Sequence, residues 1–237
     1  MALLGRVRAV DAERVALPRP DEREVAVPVQ RGPLRQLDAL LLSILEQAQR
    51  ASAVVLGPGM GVGDGGRRIV EGVLEETDVP VLLDADAISN LPGTRALAGR
   101  DAPVVITPHP GELGRLLGEG AKEVQTRRLS SARRTAEEGG CCVVLKGADS
   151  LVVEGERTAV NSTGGAQLAT AGTGDVLSGI IGALLSRGMS SYDAARTGVW
   201  AHGRAAELWL EATGWPAESM TATDLLPHLP EALDEIY

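Results

Sequence analysis

The sequence predicts an α/β fold in which helices cover both faces of a mainly parallel central sheet, giving a three-layer α/β/α sandwich. Short, wholly apolar segments alternate along the chain with segments whose apolar residues recur at helical spacing. Strands that are apolar on both faces are typical of a parallel sheet buried on both sides. Near residues 151–160, two short strands joined by the turn sequence EGER predict an antiparallel hairpin at the sheet edge.

The predicted elements follow a proline-rich N-terminal stretch, in which residues 7–10 and 24–29 have strand composition. Residues 37–49 predict an amphipathic helix. The alternating part then consists of strand 53–56, helix 67–76, strand 79–83, a short helix or turn after the sequence DADAIS, strand 103–107, helix 112–117, helix 126–138 and strand 141–145. The hairpin strands 151–153 and 158–160 follow, and then helix 175–187, helix 194–212 and a final short helix capped by Asp224. The length is compatible with a single domain over residues 1–237.

The composition excludes several classes of function. The formal net charge is −9, and no basic run exceeds a pair of arginines, which argues against nucleic acid or an anionic membrane as the main partner. Aromatic residues make up only 2 % of the chain, so stacking platforms for single-stranded nucleic acid are missing. The two cysteines are adjacent in an apolar segment, as expected for buried thiols in a reducing cytoplasm. Without a transmembrane stretch or a signal peptide, the sequence predicts a cytoplasmic protein.

A glycine-rich loop directly precedes a predicted helix in segment 161–188. The free N–H groups and the positive dipole end of a helix N-terminus favour an anion, and Gly172 and Gly174 allow close approach of the backbone. The segment therefore predicts a phosphate site. Asp175 permits two interpretations, since it either caps the helix at the N-cap position or acts as a base on a hydroxyl beside a phosphoryl donor.

Glycines or polar residues follow each predicted parallel strand, at the edge of the sheet where the ligands of open α/β folds bind. These residues are Gly57, Gly59, Gly61, Asp84, Asp86, His109, Glu112 and Lys146. Taken singly, the glycines are also explained as turn residues, and the acidic residues as helix caps or first-turn carboxylates. Lys146 gives the clearest signal, because a lysine that ends an apolar strand must reach a polar cleft, where it can offset the charge of a phosphate.

Other polar residues are interpreted as structural. Arg127, Arg128, Arg133 and Arg134 lie on one predicted helix and are assigned to its solvated face. His202 is interpreted as a packed or hydrogen-bonded histidine.

Five motifs together resemble the NAD(P)H-hydrate dehydratases, a family of the ribokinase-like superfamily. They are VVLGPGMG (54–61), VLLDADAI (81–88), VVITPHPGEL (104–113), VVLKGADSLV (143–152) and LATAGTGDVLSGIIGALLSRG (168–188). Sugar and vitamin kinases of the superfamily share the glycine-rich loop that ends in an aspartate, but TPHPGE together with GPGMG is typical of the dehydratases. The resemblance, from about residue 53 to the end, implies a ribokinase-like sandwich.

The resemblance implies a repair activity, in which ADP or ATP drives the dehydration of hydrated NADH or NADPH. The hydroxyl of the hydrated ring is phosphorylated, and phosphate leaves as the double bond re-forms, with AMP or ADP as the other product. Mg²⁺ is expected as in phosphoryl transfer generally, although the sequence identifies no metal ligands. A homo-oligomer is also expected.

Carried over residue by residue, the resemblance assigns Asp175 as the base and the amides of Gly172, Thr173 and Gly174 as stabilisers of the transferred phosphoryl group. The implied substrate-binding residues are Gly61, His109 and Asp175. The implied nucleotide-binding residues are Lys146, Gly147, Ala148, Asp149, Ser150 and Gly174.

The sequence departs from the family pattern at two places. The family's first β-α unit is expected before the position of Met1, so we expect the sheet to lack one strand and the substrate pocket one wall. In the key loop, Gly165, Ala166 and Gln167 stand where family members have Asn-Pro-Gly. Two alternative functions stay open at this point: a vitamin-precursor kinase, and a nucleotide-binding protein without turnover.

Overall fold

The central sheet has its strands in the order of the chain. The computed structural model describes residues 8–9 and 33–236. Within these residues the strands are β1 Arg8–Ala9, β2 Val54–Leu56, β3 Val81–Leu83, β4 Val104–Ile106, β5 Cys142–Leu145, β6 Leu151–Glu154 and β7 Arg157–Val160. Strands β1 to β5 are parallel, whereas β5–β6 and β6–β7 are antiparallel pairs. The mainly parallel sheet with an antiparallel edge hairpin is therefore confirmed.

Most helices overlap the predicted segments, but the helix Ala85–Asn90 overlaps the sequence DADAIS and does not follow it, and the region before residue 128 and the C-terminal end also differ. They are α1 Pro33–Ala48, α2 Asp64–Glu76, α3 Ala85–Asn90, α4 Pro110–Leu117, α5 Ala121–Thr126, α6 Arg128–Gly139, α7 Thr173–Ser186, α8 Ser191–Thr213 and α9 Leu229–Asp234. The helix predicted over 126–138 is confirmed as α6 within two residues at each end. The short helix α5 was missed; Arg127, whose backbone is non-helical (φ −125°, ψ 36°), separates it from α6. No glycine or proline marks this break, so the sequence pattern does not show it.

Helices pack on both faces of the sheet and form three layers. Successive residues of a strand point to opposite faces. On one face, Val54, Leu56 and their equivalents in the neighbouring strands pack against α1 to α4 and α6. On the other face, Val55, Leu82 and their equivalents pack against α7 and α8. Right-handed crossovers between strands in sequential order explain why the first group of helices shares one face.

Two predictions concern the N-terminal and C-terminal parts of the chain. Strand β1 lies within the predicted strand 7–10, and the predicted strand 24–29 lies outside the described residues. Asp224 does not cap the last helical segment, which corrects the prediction. It lies in the first turn of a 3₁₀ helix, Ala222–His228, where its Oδ2 accepts a hydrogen bond from the backbone N–H of Thr221, the N-cap residue, at 2.8 Å.

The carboxyl ends of β2 to β5 meet at one edge of the sheet, because these strands are parallel and adjacent. The ladder continues for one step past the strands, with Asp84 N donating to Leu56 O at 3.0 Å and Lys146 N donating to Pro108 O at 2.9 Å. The polar residues at this edge are therefore held by the sheet itself. Within the described part of the chain, no helix has the length and apolarity needed to cross a bilayer.

Candidate active site

A buried aspartate, Asp84, lies at the centre of the site and connects three elements. Its Oδ1 accepts a hydrogen bond from Lys146 Nζ at 2.8 Å, and its Oδ2 accepts one from Ser178 Oγ at 2.8 Å. The Asp84 side chain is 2 % exposed, whereas the Lys146 side chain keeps 24 % of its surface exposed. A buried carboxylate requires partners of this kind, and here they come from β5 and α7.

His109 and Glu112 form a reciprocal cap at the start of α4. The Nδ1 atom of His109 accepts hydrogen bonds from the backbone N–H groups of Gly111 (2.9 Å) and Glu112 (3.3 Å), while Glu112 Oε2 accepts one from His109 N at 2.7 Å. Since Nδ1 is an acceptor, the neutral ring carries its proton on Nε2. Glu112 is buried, and its Oε2 lies 3.9 Å from Lys146 Nζ. The cap therefore fixes the His109 ring and joins α4 to the Asp84–Lys146 pair.

Asp175 lies within the first turn of α7 and is not its N-cap, which corrects the sequence prediction. The N-cap is Gly172, with φ 86° and ψ −12°, and Asp175 is the third helical residue. Glycine adopts this left-handed conformation without steric cost, so the helix begins two residues before the predicted start at 175. At its actual position the carboxylate lies near the positive end of the helix dipole.

The first turn of α7 lies against the Asp84–Lys146 pair. A methyl group placed on Gly174 would lie 3.8 Å from Asp84 Oδ2 and 3.9 Å from Lys146 Nζ. Thr173 is buried, and its Oγ1 donates to the backbone oxygens of Leu168 (2.8 Å) and Thr170 (2.7 Å), which closes the preceding loop onto the helix. The backbone of Gly174 and the ammonium group of Lys146 therefore lie next to each other.

The pKa of Asp175 is raised above its ordinary value. The largest cause is partial loss of hydration, and the negative charge of Asp84 adds to it, whereas the positive charge of Lys146 opposes it. The side chain is nevertheless on the surface of the protein. A carboxylate with a raised pKa is a stronger proton acceptor than an ordinary aspartate.

The glycine-rich segment 57–63, called here the first glycine loop, is held by side chains of α3. Asp86 Oδ2 accepts from Gly61 N at 2.9 Å, and the Asn90 amide accepts from Gly63 N and donates to Gly61 O, each at 2.9 Å. The interpretation of Asp86 as a helix cap is therefore wrong, since its carboxylate bonds to the loop. Asn90 was missed, although its position four residues after Asp86 places both on one helix face.

The segment 164–172, called here the second glycine loop, is held from the other side by α8. Gly164 N donates to Glu207 Oε1 at 2.8 Å, and Thr163 Oγ1, just before the loop, donates to Trp200 O at 2.9 Å. Next to the loop, His202 is 7 % exposed and bonds through Nε2 to Thr173 O at 2.9 Å. Burial lowers the His202 pKa to about 4, although the hydrogen bond to Thr173 opposes this. The predicted structural role of His202 is confirmed, and Glu207 is a contact that the sequence did not reveal.

Arg128 does not lie on a solvated face, which corrects the prediction for this residue. Its guanidinium is half-buried against the segment 145–149 and donates hydrogen bonds to backbone carbonyls there. Arg128 is the first residue of α6, and side chains in a first turn point back beyond the start of their helix. The other three arginines of that prediction are exposed, as expected.

Comparison with known proteins identifies the family. A family model described as NAD(P)H-hydrate dehydratase matches residues 11–231. The chain belongs to this family. It is similar to the ADP-dependent (S)-NAD(P)H-hydrate dehydratase of Neisseria meningitidis serogroup B, with 42% identity over 77% of this chain and 63% of the relative. It is also similar to the bifunctional NAD(P)H-hydrate repair enzyme Nnr of Vibrio cholerae, with 41% identity over 80% of this chain and 37% of the relative. The chain thus spans less than two thirds of the length of these curated relatives.

Solved structures agree with the membership of the dehydratase family. The ADP/ATP-dependent NAD(P)H-hydrate dehydratase of Bacillus subtilis, co-crystallised with ATP/Mg²⁺, superimposes with a TM-score of 0.72 at 32% identity, over 81% of this chain and 70% of that chain. Ribokinase of Arabidopsis thaliana superimposes with a TM-score of 0.52 at 21% identity, over 79% of this chain and 58% of that chain, and shows the fold alone. The ribokinase-like α/β sandwich is therefore confirmed.

The carboxylates near Lys146 do not by themselves form a complete metal site. Among the described residues, no three His, Cys, Asp or Glu side chains form a metal cage. Mg²⁺ commonly binds through one or two carboxylates together with phosphate oxygens and waters. Asp84 and Glu112 lie 2.8 Å and 3.9 Å from Lys146 Nζ, and both oxygens of Asp84 already accept hydrogen bonds, so phosphate oxygens and waters would have to supply most of the ligands.

A cavity of about 410 Å³ lies between the β6–β7 hairpin and α8, and its wall contains none of the residues of the Asp84–Lys146 cluster. Its wall includes Val160, Asn161 and Trp200. Asn161 N donates to Ser150 O at 2.8 Å, so one residue of the cavity wall is hydrogen-bonded to the segment 146–150. Its size lies in the range of small-molecule sites.

Proposed function

We propose that this chain catalyses the ADP- or ATP-dependent dehydration of hydrated NADH or NADPH. The products are the repaired coenzyme, phosphate, and AMP from ADP or ADP from ATP. The observation that carries the proposal is that the first turn of α7, with Gly174 and Asp175, lies against the Asp84–Lys146 pair. It is supported by the Neisseria relative, named as ADP-dependent, and by the Bacillus enzyme, named as ADP/ATP-dependent.

Asp175 is the proposed base. It takes the proton of the hydroxyl on the hydrated ring as that oxygen attacks the terminal phosphoryl group of the nucleotide. Its raised pKa suits this task. The phosphate ester then loses phosphate from one ring carbon and a proton from the neighbouring carbon, so that the electron pair left behind forms the double bond.

The amides of Gly172, Thr173 and Gly174 are proposed to stabilise charge on the phosphoryl group, and the Thr173 N–H, which donates to Thr170 O at 3.3 Å, would have to exchange that partner for the phosphoryl oxygen. Donors fixed before the reaction begins are the most effective stabilisers of charge that develops during it. Lys146 adds a positive charge on the opposite side, at a distance that its hydrogen bond to Asp84 fixes.

The nucleotide is proposed to bind along one segment and the hydrated coenzyme along another. Nucleotide contacts are assigned to Lys146, Gly147, Ala148, Asp149, Ser150 and Gly174. Contacts to the hydrated coenzyme are assigned to Gly61, His109 and Asp175.

Magnesium is proposed as the cofactor, and it supplies charge neutralisation of the phosphates when bound. The described side chains make no complete site for it, so phosphate oxygens and waters would supply most of its ligands.

The proposal is tested by supplying hydrated NADH or hydrated NADPH with ADP or ATP and Mg²⁺. We expect the absorbance band of reduced nicotinamide to return and phosphate to be released in equal amount. The Asp175→Asn variant is the control, because it keeps the shape of the side chain and removes the base.

Two results contradict the proposal. No recovery of absorbance with any combination of coenzyme and nucleotide excludes the dehydratase. A stable phosphorylated product without free phosphate indicates a kinase instead.

Three wider predictions accompany the proposal: a single domain over residues 1–237, a cytoplasmic location and a homo-oligomeric assembly. Both cysteines are free and buried, which fits a reducing compartment. Burial raises the pKa of Cys141 to about 12, so its thiol is unreactive.

A further inference from the structure

Arg128 makes an unusual set of contacts for an arginine near the protein surface. Its guanidinium donates hydrogen bonds to Leu145 O at 3.1 Å, Lys146 O at 3.2 Å and Asp149 O at 2.9 Å. All three acceptors are backbone carbonyls of one short segment, to which the proposed function assigns the nucleotide. We infer that Arg128 is a positioning residue that sets the backbone shape of the segment 145–150 and thereby its affinity for an adenine nucleotide. This inference rests on the proposed function.

The geometry of the peptide bond shows what these hydrogen bonds do to the segment. The described residues contain no cis peptide bond, and in a planar trans peptide the C=O and N–H groups point in opposite directions. Because Arg128 holds the carbonyls of Lys146 and Asp149 towards itself, the N–H groups of Gly147 and Ser150 point away from it. Two amide donors are thus aimed at the side of the segment opposite α6, where they can meet a phosphate or a ribose.

Gly147 is required for this arrangement. A Cβ atom at position 147 would lie 2.5 Å from Nη1 and 2.8 Å from Nη2 of Arg128. Any other residue there must displace the guanidinium and break its bonds to the carbonyls. The end of an arginine side chain moves easily, so such a change alters the segment and leaves the buried strand β5 in place.

An arginine suits this position better than a lysine. Its planar fork presents several N–H groups in fixed directions, whereas an ammonium group is a compact charge at the end of a flexible stem. Partial burial lowers the Arg128 pKa and the charge of Asp149 opposes this, but a guanidinium in a protein does not lose its proton. The contacts should therefore persist over the working pH range.

The test compares Arg128→Ala, Arg128→Lys and Gly147→Ala with the parent protein. Arg127→Ala is the matched control, because Arg127 is the preceding residue and is exposed. Calorimetric titration with ADP and with ATP gives the Kd of each variant, and steady-state kinetics separate KM from kcat. Hydrogen exchange of the peptide 145–150, measured without nucleotide, reports the shape of the segment directly.

We expect Arg128→Ala to raise Kd and nucleotide KM about tenfold or more, with kcat at saturating nucleotide within about threefold of the parent. Arg128→Lys should recover part of the affinity, Gly147→Ala should weaken binding, and Arg127→Ala should change neither constant. Exchange at residues 147 and 150 should become faster in Arg128→Ala.

The effects of Arg128→Ala and Gly147→Ala should not add, because the added methyl group collides only with a guanidinium that is present. A folded Arg128→Ala protein that binds ADP and ATP within about twofold of the parent overturns the inference. Should Arg128→Ala fail to fold, unchanged affinity in both Arg128→Lys and Gly147→Ala overturns it equally. A parent that binds nucleotide without dehydrating hydrated NADH or NADPH contradicts only the proposed function.

Discussion

The two glycine loops border the same cluster but are anchored in different ways. The first glycine loop is held by Asp86 and Asn90 through bonds near the surface. The second is held by α8, through Glu207 and, next to the loop, the buried His202. Changes at the first loop should therefore alter ligand binding alone, whereas changes around the second should also alter stability.

The largest expected effect is at Asp175, in the first turn of α7 just after the second glycine loop. Asp175→Asn should lower kcat by about a thousandfold, because a positioned base contributes about 10²–10⁴ to rate. The Kd for ADP or ATP should stay within a few-fold of the parent value, since the amides of α7 are unchanged. Measuring kcat by phosphate release and Kd by calorimetry checks both statements. A loss confined to affinity would assign the second loop to binding only.

The next largest effect tests whether the second glycine loop is held in place by the buried His202 of α8. His202 has a folded-state pKa of about 4, below the value of about 6.5 in the unfolded chain. Between these values the unfolded chain binds more protons, so His202 stabilises the fold above about pH 6.5 and this contribution is lost as the pH falls towards 4.

The unfolding free energy of the parent should fall as the pH is lowered from about 6.5 to about 4. His202→Gln should make this fall smaller, by on the order of 3 kcal/mol at most. Glutamine keeps an N–H donor for Thr173 O and does not titrate. Denaturant unfolding of parent and variant at a series of pH values gives the comparison. Identical pH dependence in the two proteins would show that His202 does not anchor the loop in its neutral form.

A smaller effect is expected at Asp84, which lies between the two loops. Asp84→Asn removes the partner charge of Lys146 and should cost about 2 kcal/mol of unfolding free energy, since Lys146 keeps access to water. It should also lower the pKa of Asp175, because the Asp84 charge raises it. The acid limb of kcat/KM should then move to lower pH in the variant, and a shift to higher pH would contradict the electrostatic cluster.

The smallest effect is expected at the first glycine loop. Asp86→Ala removes the hydrogen bond to Gly61 N, so the KM for hydrated NADH should rise about threefold to tenfold, while kcat and unfolding free energy stay close to the parent values. Asp64→Asn, which removes another exposed carboxylate near this loop, is the control for charge alone. Equal effects of the two substitutions on KM would mean that the loss of a negative charge, and not the loss of the hydrogen bond to Gly61, raises KM.

The sequence predicted the fold because hydrophobic periodicity is local. Apolar strands such as 53–56 and the helical spacing of 175–187 carry their own signal, and the alternation of the two types leads to a parallel sheet. The motifs also indicated which strand ends carry polar residues. Helix α5 escaped this reasoning, because six residues are too few to show a helical period, and no glycine or proline marks its end at Arg127.

Within the candidate site, the sequence indicated the residue types but not their partners. Asp84 was interpreted as a possible helix cap, and only the structure shows its bonds to Lys146 and Ser178. These residues are 62 and 94 positions away along the chain, a separation at which no spacing rule applies. Asn90 and Glu207 were missed for the same reason, since each contacts a loop distant in sequence.

The sequence alone determined the layered α/β architecture, the edge of the sheet that carries polar residues and the resemblance to the dehydratases, because these depend on patterns within short segments. The tertiary structure decided that Gly172 and not Asp175 caps α7, that Asp84 joins β3 to β5 and α7, and that Arg128 faces the segment 145–149. Side-chain direction and the meeting of distant segments follow from how the layers pack, which no local pattern encodes.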